Sequence, residues 1–160
     1  RGLVGSEMCI RDSLGINRDG HASIVSTTGN PDGHLVLRGG HQGSNYHLEA
    51  VQAAAAELSK AGLKDRLMVD CSHGNSNKDF RRQADVLATV ADQLRAGSSH
   101  VMGVMIESHL VEGNQKLTAD LSQLTYGQSI TDACISLETT EVLLSQLAEA
   151  VSDCSRVVTA

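Results

Sequence analysis

Apolar positions along this chain form three short continuous runs, and stripes at helical spacing lie between and after them. His34-Leu35-Val36-Leu37 runs into Arg38, Leu67-Met68-Val69-Asp70-Cys71-Ser72 into His73, and Val101-Met102-Gly103-Val104-Met105-Ile106 into Glu107. The endings are 35 residues apart (38 to 73) and 34 apart (73 to 107), close to one strand-plus-helix unit. Leu48, Val51, Ala55 and Leu58 share a stripe that predicts a helix over 46–61, stopped at Gly62. Phe80, Ala84, Leu87, Ala91 and Leu94 predict a second helix, opened by a Ser76/Asp79 capping box and stopped at Gly97. Val142-Leu143, Leu147 and Val151 predict a third over 139–151. The order β-α-β-α-β-α, with connections long enough for right-handed crossovers, describes an α/β fold with buried parallel strands. On such a sheet Arg38, His73 and Glu107 emerge on one face, where α/β proteins bind ligands.

Upstream, the β-branched stretch Ala22 to Thr27 reads as a strand. The turn at 29–33 allows it to form a hairpin with the run ending at Arg38. Gly39-Gly40-His41-Gln42-Gly43 reads as a loop permissive enough for backbone amides to approach a ligand. Arg1 to Ser13 shows neither alternation nor a stripe, and is read as a leader foreign to the fold. Residues 14–160 are then one domain.

Composition narrows the function classes. Hydrophobic residues make up 41% of the 160 and aromatics 2%, so the core is aliphatic. With a net charge of -6 and so few stacking platforms, nucleic-acid binding is not expected. No apolar run approaches the roughly 20 residues that cross a bilayer, so no membrane association is expected. Four scattered cysteines without a CxxC pair suit a reducing cytoplasm.

His73, Glu107 and Asp132 (in Ser129-Ile130-Thr131-Asp132) offer one imidazole and two carboxylates from loops. Such a set suits a divalent Mn, Fe, Co or Zn ion and leaves coordination positions open for Lewis-acid work. Arg38 beside Gly39-Gly40 offers a planar fork for a phosphate or carboxylate. Duller readings stand beside these. One of seven histidines need not be a ligand. Asp132 can favour a helix start through the dipole. Arg38 can pair with Asp70 or Glu107. Arg81-Arg82 reads as a solvated helix face, and Cys71 and Cys134 as small buried hydrophobes. Glu107, directly after Met105-Ile106, must be solvated, paired or liganded.

The motifs GNPDGHLVLRGG, LMVDCSHGNSNKDFRRQ, MGVMIESHLVEGNQ and YGQSITDACISLE resemble the C-terminal part of class I DAHP synthase (3-deoxy-D-arabino-heptulosonate 7-phosphate synthase). The likeness runs from about Gly20 to Val151. It implies the C-terminal portion of a (β/α)8 TIM barrel, about three parallel strands each followed by a helix, with an inserted β-hairpin. It also implies a reaction, the first of the shikimate route to aromatic amino acids. C3 of phosphoenolpyruvate attacks the metal-polarised aldehyde of erythrose 4-phosphate, water adds at C2, and phosphate leaves.

By the same resemblance His73 in DCSHGNS, Glu107 in MIESHL and Asp132 in SITDA correspond to metal ligands, His73 being also catalytic. Arg38 in LRGG corresponds to an arginine that binds phosphoenolpyruvate. Ile24-Val25-Ser26 resembles part of a hairpin forming an allosteric aromatic-amino-acid site, and the full-length enzyme is expected to be a homo-oligomer. Departures are equally specific. The family's cysteine metal ligand and its Lys-Pro-Arg-Thr motif for erythrose 4-phosphate are not among these 160 residues. Cys9 in EMCIRD lies outside that cysteine's motif. Gly33 stands where a cysteine is usual, and Ser136-Leu137 where Gly-Trp is usual. The chain alone is therefore expected to be inactive. The alternatives are a non-catalytic anion-binding or assembly module, or a related barrel synthase joining phosphoenolpyruvate to another sugar phosphate.

Overall fold

A computed structural model describes residues 13–26, 30, 32–41 and 43–158. Residues 1–12 of the expected leader lie outside this range, as do Thr27, Thr28, Gly29 and Pro31 around the expected turn. In chain order the elements are β1 (Ser13–Ile16), β2 (Ala22–Val25), β3 (Leu35–Leu37), α1 (Leu48–Lys60), β4 (Leu67–Asp70), α2 (Gln83–Arg95), β5 (Val101–Met105), β6 (Val111–Asn114), β7 (Gln128–Ser129) and α3 (Leu137–Val158). The chain divides into two units at Leu35/Val36.

In the first unit, β1 and β2 pair antiparallel from Ser13↔Val25 to Ile16↔Ala22. Asn17 makes the turn, its Oδ1 accepting from the backbone of Asp19 and His21 at 3.0 Å each. This corrects one expectation: β2 pairs with β1, while β3 belongs to a separate sheet. The short loop after Ile16, with Gly20 at φ 80, closes a local pairing that the more conspicuous Asn-Pro-Asp-Gly signal overshadowed.

In the second unit the three apolar runs form one sheet in the order β3-β4-β5, and β4 and β5 run parallel. The central strand is the most buried: Leu67 and Val69 are 0% exposed and Met68 is half-buried, whereas Met102 and Met105 on β5 are exposed. A strand with one hydrogen-bonded neighbour keeps an open side, so the expectation of three buried strands holds only for the middle one. Helix α1 buries Val51, Ala55 and Leu58 of its predicted stripe, while Leu48 at its first position is exposed. Helix α2 buries Val86, Leu87, Val90 and Ala91, but also Gln83 and Gln93, so its buried face is rotated from the predicted one. Helix α3 packs on α2 through a face that includes Leu143 and Ala150.

Both glycine stops act one residue beyond the cap. Gly62 and Gly97 are left-handed (φ 72 and 90), and the amides of Gly62 and Leu63 return to Ser59 and Leu58. Those of Gly97 and Ser98 return likewise to Leu94 and Gln93. This double return is the Schellman closure that a residue without Cβ permits. The Ser76/Asp79 capping box does not form. Asn77 and Lys78 are left-handed (φ 54 and 62), so the helical register starts only at Asp79. The Asp79 side chain caps the short 3-10 turn at Phe80–Arg82 by accepting from the Arg81 amide.

No helix among the described residues is long and apolar enough to cross a membrane. Cys71, at the end of β4, is fully buried. Burial pushes its thiol up to about 12, with the neighbouring Asp70 charge adding to the effect. The Cys71 peptide is therefore expected to stay unmodified by iodoacetamide in the native protein and to label fully in denaturant. Peptide mass mapping checks this, and fast native labelling would contradict the packing.

Candidate functional site

Three polar connections bring the site together at the C-terminal ends of the strands. After β3, the Arg38 carbonyl accepts from the Gly74 amide at 3.0 Å. The two backbones are in direct contact: a Cβ on Gly39 (φ 76) would lie 2.6 Å from the Gly74 carbonyl carbon. Arg38 and His73 therefore leave the sheet side by side. The glycine-rich loop differs from expectation here. The amides of its three glycines are satisfied within the protein, Gly39 by Asn45 Oδ1 at 2.7 Å and Gly40 and Gly43 by each other. Gly39 permits a close backbone crossing.

After β5, the Glu107 carbonyl accepts from the Ile135 amide at 3.0 Å, and Gly113 and Cys134 exchange amide bonds at 2.8 and 3.1 Å. The segment 107–135 is thus an ordered excursion containing the parallel pair β6-β7. It returns the chain so that Asp132 stands opposite Glu107. Asp132 does not serve the helix start, since Ser136 Oγ accepts from Thr139 N at the head of α3.

His73, Glu107 and Asp132 each offer a donor atom within 4.8 Å of the others. They line a cavity of about 310 Å³ with Arg38, Ser76, Lys78 and Ala133. His73 Nε2 lies 3.5 Å from Glu107 Oε1, and Nδ1 lies 2.7 Å from Asp70 Oδ2. Asp70 is 1% exposed and also accepts from Ser72 N at 2.8 Å and Ser72 Oγ at 2.6 Å. With this buried carboxylate as acceptor, Nδ1 carries the hydrogen and Nε2 presents its lone pair to the cavity. His73 itself is left-handed (φ 48), a costly conformation for a residue with a Cβ, held by this network.

Burial raises the Glu107 pKa. His73 and Arg38 oppose the rise, while Asp132 and Asp70 add to it. Among the described residues Arg38 forms no ion pair with Asp70 or Glu107, and both carboxylates face the His73 ring instead. Its guanidinium, with the Lys78 ammonium, is left for an anion in the cavity. The donor set of one nitrogen and two oxygens, with room beside it, fits a divalent ion of intermediate hardness.

All four residues singled out from the sequence, Arg38, His73, Glu107 and Asp132, thus line one cavity. Sequence reasoning missed two of its surroundings. Asp70 was weighed only as a partner for Arg38, although a charge inside an apolar run signals a buried partner. Lys78 carried no periodic signal, because the left-handed turn that delivers it has no sequence signature beyond Asn77. Cys71 is buried as expected, and Cys134 is half-buried, its thiol raised mainly by burial.

The DAHP synthetase I family model matches residues 5–145. The chain belongs to this family. It is 51% identical over 138 residues to a phospho-2-dehydro-3-deoxyheptonate aldolase of Haemophilus influenzae, covering 86% of this chain and 38% of that protein. A Tyr-sensitive phospho-2-dehydro-3-deoxyheptonate aldolase of Enterobacter agglomerans is 48% identical over 134 residues, 84% of this chain and 62% of the relative. The structure of phospho-2-dehydro-3-deoxyheptonate aldolase from Francisella tularensis superposes with a TM-score of 0.80 at 44% identity, covering 90% of this chain and 41% of that one. The chain therefore spans between about two fifths and three fifths of these family members.

The Gly39–Gly74 crossing carries a prediction. Gly39→Ala places a methyl against backbone at a left-handed position, where the neighbour cannot yield as a flexible side chain would. A loss of roughly 1–3 kcal/mol is expected, the range for strained backbone positions. Denaturant unfolding with an unchanged m-value checks it, and an unaltered midpoint would contradict the contact.

Proposed function

We propose that this chain carries the metal- and phosphoenolpyruvate-binding part of a 3-deoxy-7-phosphoheptulonate synthase. The convergence of the His73, Glu107 and Asp132 donors within 4.8 Å, in the cavity that Arg38 also lines, supports this reading most. Family membership and relatives named as aldolases agree with it. On this reading the sheet β3-β4-β5 is one sector of a (β/α)8 barrel, and its ligand face is the usual one for that architecture.

His73 through Nε2, with Glu107 and Asp132 through carboxylate oxygens, would hold a Mn, Fe, Co or Zn ion. When bound, that ion supplies Lewis-acid polarisation of the aldehyde of erythrose 4-phosphate. The remaining work belongs to the protein. Arg38 holds an anionic group of phosphoenolpyruvate with two parallel donors, and Lys78 adds a compact positive charge at the same wall. Asp70 keeps the His73 ring in one tautomer and one orientation, so no reorganisation is needed when substrate enters. Holding both anions in one cavity supplies the orientation that a two-substrate condensation requires.

Isothermal titration of the 160-residue chain with Mn(II) tests the metal reading. One saturable site is expected, weakened by more than about 100-fold in His73→Ala and in Glu107→Ala, beyond the range for an outer contact. A chain that takes up no Mn(II) yet binds phosphate would favour a non-catalytic anion-binding module.

Turnover is a separate matter. The residues that the family resemblance assigns to erythrose 4-phosphate are not among these 160, so the chain alone is expected to be inactive in a coupled assay with both substrates and Mn(II). Turnover of about 1 per second or faster would refute that expectation.

A further inference from the structure

Gln83 opens α2 and is 0% exposed, on a buried face shared with Val86, Leu87, Val90, Ala91 and Gln93. A primary amide there must find partners for its donor and its acceptor, or cost free energy on both counts. It finds both on one residue. Gln83 Nε2 donates to the Glu107 carbonyl at 3.1 Å, and Gln83 Oε1 accepts from the Glu107 amide at 2.8 Å.

This pairing imitates a strand neighbour. It grips the main chain of Glu107 from both sides of the Cα, beyond the last residue of β5, where no named strand continues. The same Glu107 carbonyl accepts from Ile135, three residues after Asp132. One peptide group thus joins helix α2, the Glu107 carboxylate and the segment that delivers Asp132. The carboxylate sits in surroundings unfavourable to it, half-buried and near two other acidic groups. Side-chain freedom at Glu107 would let it turn toward water.

We propose that Gln83 is a positioning residue for the cation site: its two-bond clamp on the Glu107 main chain aims the Glu107 carboxylate at His73 and Asp132. Gln83 touches no ligand itself and acts only through Glu107. The inference rests on the reading of His73, Glu107 and Asp132 as a cation-holding set.

The test uses Co(II) titrated into the full chain, followed by its visible absorption, with thermal unfolding measured alongside. Gln83→Met keeps the length of the side chain and removes both hydrogen bonds. Co(II) affinity is expected to fall about 10–100-fold, the range for loss of an outer contact, with a changed absorption band. Val86→Ala, on the same buried face, is the control. It lowers the unfolding temperature but is expected to leave affinity and spectrum unchanged.

A Gln83→Met protein that binds Co(II) with unaltered affinity and spectrum overturns the proposal. So does a Val86→Ala protein weakened as much as Gln83→Met, because general loosening would then explain both. Should Gln83→Met not fold, Gln83→Glu keeps an acceptor for the Glu107 amide. It is expected to bind Co(II) more weakly than the unaltered chain, and equal binding overturns the proposal. Absence of Co(II) binding in the unaltered chain is a different failure: it removes the cation reading, and this inference with it.

Discussion

The way the chain leaves the two strands β3 and β4 hangs on one buried amide, that of Asn75. Its Nδ2 donates to the Leu37 carbonyl at 3.0 Å and to the Asp70 carbonyl at 2.8 Å, while its Oδ1 accepts from the Asn45 amide at 2.8 Å. Strand ends leave backbone groups without ladder partners, and such groups are expensive when buried. At 1% exposure, Asn75 satisfies the last carbonyls of two adjacent strands and fixes the loop after β3 in the same stroke. Asn45 completes the arrangement by accepting from Gly39. These bonds draw the two loops together, and the absence of a Cβ at Gly39 lets them meet. The side-by-side departure of Arg38 and His73 follows from that geometry.

How much of this the sequence disclosed depends on whether the signal was local. Strand ends at Arg38, His73 and Glu107 were readable because apolar runs stop there, and the α1 stripe because Val51, Ala55 and Leu58 repeat at helical spacing. The glycine stops were readable from backbone chemistry alone. Bonds that span the chain were not. Gln83 reaches Glu107 across 24 positions, and Asn75 reaches Leu37 across 38. A pattern of apolar and polar residues treats a buried glutamine as a surface one, so the α2 stripe includes the buried Leu87 and Ala91 but lies rotated from the face that also buries Gln83. The hairpin was misjudged for a related reason. Asn-Pro-Asp-Gly is a stronger turn signal than the sequence after Ile16, yet pairing is decided by the strand that is available, and β1 supplied it. Resemblance carried the assignment of Asp132, whose approach to Glu107 rests on backbone hydrogen bonds between Gly113 and Cys134 that no spacing rule predicts.

The electrostatics of the cavity argue that the fold maintains this cluster against its own stability. Two carboxylates and an imidazole within 4.8 Å, with a buried Asp70 behind them, concentrate negative charge where water is partly excluded. Desolvation and the neighbouring acids raise the Glu107 pKa, which means the ionised form is unfavourable there. A chain shaped only for stability would place an apolar residue after Met105-Ile106, since replacing buried charge by well-packed apolar groups is often neutral or stabilising. Arg38 does not close into an ion pair with Glu107, although its charge acts on it. The left-handed His73 adds backbone strain to the same place. Local rules are broken together at one spot, and strain, like-charge crowding and unpaired cations there have a common resolution. A divalent cation between the three donors, and an anion against Arg38, would cancel each of the charge conflicts at once.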